Sequence, residues 1–119
     1  MKELVRETLK KIDSYNQSQI EIRPYCRRRM VERSIEESLL ISTLFSKDLY
    51  YVKEQLKTFM GKLEKRHKLI FKISSKYSLI IIVVFHTKIL KVVNIIKTSK
   101  GVEKKWQKNV KMKIARPQI

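Results

Sequence analysis

Seven consecutive apolar residues, Leu79 to Phe85, constrain this chain more than any other feature. The run is far too short for a membrane-crossing helix, which needs roughly 18 such residues. Because it is apolar on both faces, Tyr77 to His86 is expected to be a buried central strand. On one side, His67 to Ser74 alternates Leu69, Phe71 and Ile73 with Lys68, Ile70 and Lys72, giving one apolar and one largely basic face. On the other, Ile89 to Thr98 alternates less cleanly, interrupted by Lys91, Asn94 and Lys97. The links Ser74–Lys76 and His86–Lys88 are of hairpin length, so three antiparallel strands in a meander are predicted.

Helical spacing dominates the first 46 residues. Val5, Leu9 and Ile12 predict an amphipathic helix from residue 2 to about 16, and Pro24 is placed to open a second helix, where its missing N–H costs nothing. That helix carries Tyr25, Cys26 and Met30 on one side. Ser34-Ile-Glu-Glu37 has the form of a capping box, predicting a third helix that runs to about Phe45 and buries Ile35 and Leu39. Residues 49–63 fit helix or strand; the reading adopted is a strand over about 49–55, with little regular structure up to Glu64. Past Ser99, Val102, Trp106 and Val110 at four-residue spacing predict a short basic helix.

Charge divides the chain unevenly. Residues 1–46 hold nine Lys or Arg against seven Asp or Glu, whereas residues 47–119 hold nineteen against four, so that +15 of the +17 lies in the second part. Such a field draws polyanions, which makes RNA the expected partner and DNA a lesser one. A membrane partner is not expected. At 119 residues, with 43% hydrophobic content, two Gly and two Pro, a single α+β domain is expected. Helices fill 1–46, a small curved antiparallel sheet 47–98, and a basic helix or tail 99–119. Cys26, the sole cysteine, excludes an internal disulfide and fits a reducing cytoplasm, and the first residues lack the continuous apolar core of a signal peptide.

Tyr25-Cys-Arg-Arg-Arg-Met-Val-Glu-Arg-Ser-Ile35 resembles the opening of a small prokaryotic domain family of unknown function, which begins His-Ala-x-x-Arg-Met-x-x-Arg-Gly-Ile. Arg29, Met30, Arg33 and Ile35 match; Tyr25 stands for the family's His and Ser34 for its Gly. The resemblance covers roughly residues 25–98. It implies an antiparallel sheet of the kind found in RelE-like and barnase-like ribonucleases, and with it a toxin-like endoribonuclease acting on RNA, also on the ribosome, and neutralised by an acidic antitoxin-like protein.

With two histidines, one cysteine and no carboxylate cluster in the basic half, neither a metal nor another cofactor is expected. Metal-free RNA cleavage needs a base, an acid and cations around the phosphorane. His67 is the candidate acid or base, with Lys72 and Lys97 completing the catalytic set. Arg29, Arg33, Arg66, Lys68, Lys100, Lys104, Lys105 and Lys108 are candidate phosphate contacts, and Trp106 a base-stacking residue. For each a plainer reading stands beside it: His67 as a solvated residue, Arg29 and Arg33 as partners of nearby glutamates, Trp106 as an anchor of the last helix. A non-catalytic RNA- or ribosome-binding module is the alternative function; a nucleoid or viral DNA-binding protein is a third.

Overall fold

The computed structural model describes residues 2–99. Helix α1 (Lys2–Asp13) leads through a single 3-10 turn into the short strand β1 (Ile20–Ile22), followed by α2 (Pro24–Glu32), α3 (Glu37–Leu44) and β2 (Leu49–Phe59), β3 (Lys62–Lys72), β4 (Tyr77–Phe85) and β5 (Leu90–Ser99). One sheet contains all five strands in the order β1-β5-β4-β3-β2. The β2 to β5 meander is antiparallel, but β1 runs parallel to β5, with Ile22 opposite Val92. The sheet is therefore mixed rather than wholly antiparallel; a three-residue strand offers too little alternation to be read from sequence.

The β4 side chains divide the sheet's two surfaces. Leu79, Ile81 and Val83 are fully buried and join Leu69, Phe71, Val92 and Ile95 beneath the helices. From the helices come Ile12, Cys26, Met30, Ile35, Leu40 and Leu44, which make one continuous core. Burial pushes the Cys26 thiol up to about 11, so at neutral pH it behaves as a small apolar side chain. The even-numbered residues Ser78, Ile80, Ile82 and Val84 point to the opposite surface, which the helices do not cover.

Two local expectations are corrected. Ser34 does not cap α3, whose N-cap is Glu36. Instead it sits just past the end of α2 with φ 55°, in the left-handed region, with Ser34 N–H donating to Val31 O (3.2 Å) and Ile35 N–H to Met30 O (2.9 Å). Those two bonds make a Schellman ending, and buried Met30 and Ile35 belong to the same core cluster. Tyr25, expected beside Cys26 and Met30, is 44% exposed.

The second correction is larger: the strand expected over 49–55 runs on to Phe59 and β3 begins at Lys62, so that β2 and β3 pair without interruption from Tyr51↔Ile70 to Phe59↔Lys62. Met60 (φ 52°) and Gly61 (φ 80°) form the two-residue turn, both in the left-handed conformation that matches the twist of a hairpin. Beyond its last pairing with β4, at His67↔Val83, this hairpin continues as a two-stranded arm. Arg23, following β1, donates to both carboxylate oxygens of Glu64 on the arm (Nη1–Oε1 2.9 Å) and lies 4.2 Å from the Phe59 ring centre. In a flat sheet β1 and β3 are three strand spacings apart, roughly 14 Å. Twist and a bent arm close that gap, making the uncovered surface concave.

The proposed C-terminal helix, with Lys100, Lys104, Lys105, Trp106 and Lys108, lies outside the described residues. No described helix is long and apolar enough to cross a membrane.

Candidate nucleic-acid interface

Cross-strand register arranges the concave surface in rows. Tyr51, Ile70, Ile80 and Ile96 form an apolar row; next to it lies a row of Lys53, Lys68, Ile82 and Asn94. On the other side Lys72, Ser78 and Thr98 line up, with the Tyr50 ring 5.7 Å from the Lys72 ammonium and the Tyr50 hydroxyl 3.4 Å from Ser78 Oγ. Ile80 is buried; Ile70, Ile82 and Ile96 are partly so. An isoleucine floor is thus bordered by lysines. Lys53 and Lys68 stand directly opposite each other across β2 and β3.

The expected catalytic set is not assembled. Lys72 pairs with Ser78 and faces the concave side, whereas Lys97 pairs with Leu79 and faces the helix side. His67 pairs with Val83, also on the helix side, four residues along β4 from the level of Lys97, or about 13 Å. There His67 packs edge-on against Phe85 (4.9 Å between ring centres), its Nε2 3.4 Å from Glu54 Oε2 and its buried Nδ1 without a hydrogen-bond partner. Burial lowers its pKa, outweighing the opposing pull of Glu54. Alternation along β3 places Lys68 with Lys72 and His67 on the opposite face, but only the register between strands shows that Lys97 joins the His67 face. Lys97 itself lies 4.4 Å from the Tyr77 ring centre.

The motif arginines have structural partners. Arg29 pairs with Glu32 (3.1 Å) and donates from Nε to the Tyr25 hydroxyl (2.9 Å). Arg33 donates to the main-chain carbonyl of Ile95 (2.6 Å), while the Asn94 side chain accepts from Ile95 N–H (2.9 Å). Beyond Val92, where β1 ends, these two side chains satisfy backbone groups of β5. Arg66 donates to Glu64 (3.0 Å) with its side chain only 18% exposed, placing it in the arm's clasp. Glu64, held by two guanidiniums, has its pKa lowered to about 2, with the Arg23 hydrogen bonds the main cause.

Sequence reasoning missed Lys53, Tyr50, Tyr51, Arg23 and Phe59. Tyr50, Tyr51 and Lys53 lie within the strand expected over 49–55, but with 56–63 read as irregular the alternation through Lys57 to Phe59, and its pairing with β3, is not drawn. Among the described residues no three of His, Cys, Asp and Glu are grouped to hold a metal ion. Comparison with family models, with curated proteins and with solved structures finds no match.

Proposed function

We propose that this protein is an RNA-binding module that takes single-stranded RNA along the concave face of its sheet. The observation that carries the reading is the opposed Lys53 and Lys68 beside the isoleucine floor. Ammonium groups beside an apolar floor give a phosphate backbone its counter-charge, and unstacked bases provide apolar faces for a floor of this kind. RNA is favoured over duplex DNA because the lysines line a recess, whereas duplex readers project a helix or ribbon into a groove. The buried single cysteine fits a cytoplasmic setting, and an acidic protein partner would compete for the same lysines.

A second reading, RNA cleavage of the RelE-like toxin kind, has one observation in its favour. Ser34 adopts the left-handed backbone that suits glycine, at the position where the resembled family has Gly. In that reading Lys68, Lys72 and Tyr50 on the concave face replace His67 and Lys97 as the acid, base and phosphate-binding groups. Incubation of the purified protein with RNA in EDTA separates the two. Intact, retarded RNA is the outcome expected for binding; fragments with 2′,3′-cyclic phosphate ends would establish cleavage instead, and no retardation at low salt would refute both.

A further inference from the structure

Where the arm overhangs the β4–β5 turn, a cleft of about 560 Å³ opens, lined by residues that include Phe59, Met60, Lys62, Glu64, Val84 and His86. Its volume is within the range of small-ligand sites. Phe59 is 39% exposed, and one face of its ring is already occupied by the Arg23 guanidinium, 4.2 Å from the ring centre. Arg23 is itself locked, 10% exposed, by two hydrogen bonds to Glu64, which Arg66 also holds. The ring is therefore backed by a fixed cation. Such backing removes the ordering cost that a mobile aromatic would incur on stacking.

We propose that this cleft seats one unstacked base of the bound RNA, stacked on Phe59, with Lys62 and Lys65 at its rim holding the adjoining phosphates. The inference rests on the RNA-binding reading and adds to it a discrete base site at one end of the lysine-lined recess. Apolar and basic groups meet there as base recognition requires: a ring and Val84 for the base, ammonium groups for the backbone. Arg23 acts as a positioning residue, fixing the ring from behind, and Glu64 at the cleft wall holds Arg23 in place.

The test compares two oligomers of equal length and charge, about ten nucleotides as suits a single-strand footprint, on the full-length protein: oligouridine and its abasic counterpart. The expected result is more than about tenfold weaker binding of the abasic chain, which loses the base stacked on Phe59 and those on the isoleucine floor, with an unchanged salt slope. Phe59→Leu, which keeps an apolar side chain, should cost oligouridine roughly tenfold, in the range of one stacked base, and the abasic chain nothing, and Phe59→Trp should restore the loss. A 2-aminopurine placed in the oligomer should be quenched by the native protein and not by Phe59→Leu. Equal affinities of the native protein for the two chains would overturn the base site, and with it base contact on the floor, leaving only phosphate binding; a Phe59→Leu variant that binds oligouridine as tightly as the native protein would overturn the base site alone. An abasic penalty that survives unchanged in Phe59→Leu would do the same, by placing base contacts elsewhere. Failure of every oligomer to bind at low salt would instead defeat the RNA reading itself.

Discussion

Ser34 shows how one residue's conformation can be set by what precedes it. Its left-handed φ of 55° closes α2, and a side chain there is strained by roughly 1–2 kcal/mol relative to glycine. Glycine gives back part of that gain through its freer unfolded chain. Ser34→Gly should therefore stabilise the protein by about 0.5–1 kcal/mol, read from the urea midpoint. His67 makes the opposite kind of statement, since burial holds its pKa below the ordinary value of 6.5. As pH falls through that value the unfolded chain takes up a proton that the folded chain resists, so stability is lost toward acid. Between pH 7 and pH 5 the native protein should lose more stability than His67→Leu; parallel losses in the two would show that His67 ionises freely in the fold.

At the scale of elements, the β2–β3 arm depends on the contact between Arg23 and Glu64, whose side chains are 10% and 14% exposed. Removing one partner of such a pair strands a buried charge, at a cost of about 3–5 kcal/mol. Glu64→Ala, which strands Arg23 and Arg66 together, should lose about that much, Arg23→Ala less because Arg66 still holds Glu64, and the double variant less than their sum, as a double-mutant cycle would reveal. Additive losses would mean that the two residues act separately. The same contact predicts an acid transition: Glu64 has its pKa lowered from 4.5 to about 2, so its contribution is complete above pH 4.5 and fades as pH drops toward 2. Arm and helix ending illustrate the same limit of reading by pattern. A capping box and a Schellman ending share Ser34, and the register that chooses between them is set by packing Met30 and Ile35 into one core.

For the molecule as a whole, a net charge of +17 meets a surface that concentrates lysines on one side of the sheet. Affinity for RNA should fall with salt in proportion to the phosphates neutralised, and each concave lysine converted to Gln should reduce the slope by about 0.7. Lys53→Glu provides a sharper check because its two effects have opposite sign. It turns a repelling cross-strand pair into an attracting one, so the fold should gain about 0.2–1 kcal/mol while RNA binding weakens. If stability and affinity fall together, the weaker binding reflects a disturbed fold rather than a lost phosphate contact.

Composition and period alone determined that Leu79 to Phe85 is a central strand, that Pro24 opens a helix, and that Lys68 shares a face with Lys72, because each follows from local geometry repeated along one segment. His67 falls opposite Lys72 by that same alternation, but the parallel β1, the arm clasped by Arg23, and the separation of Lys97 from Lys72 were decided only in the folded molecule. They depend on register between segments distant in sequence, and a shift of one residue in any strand would have put those side chains on the other face.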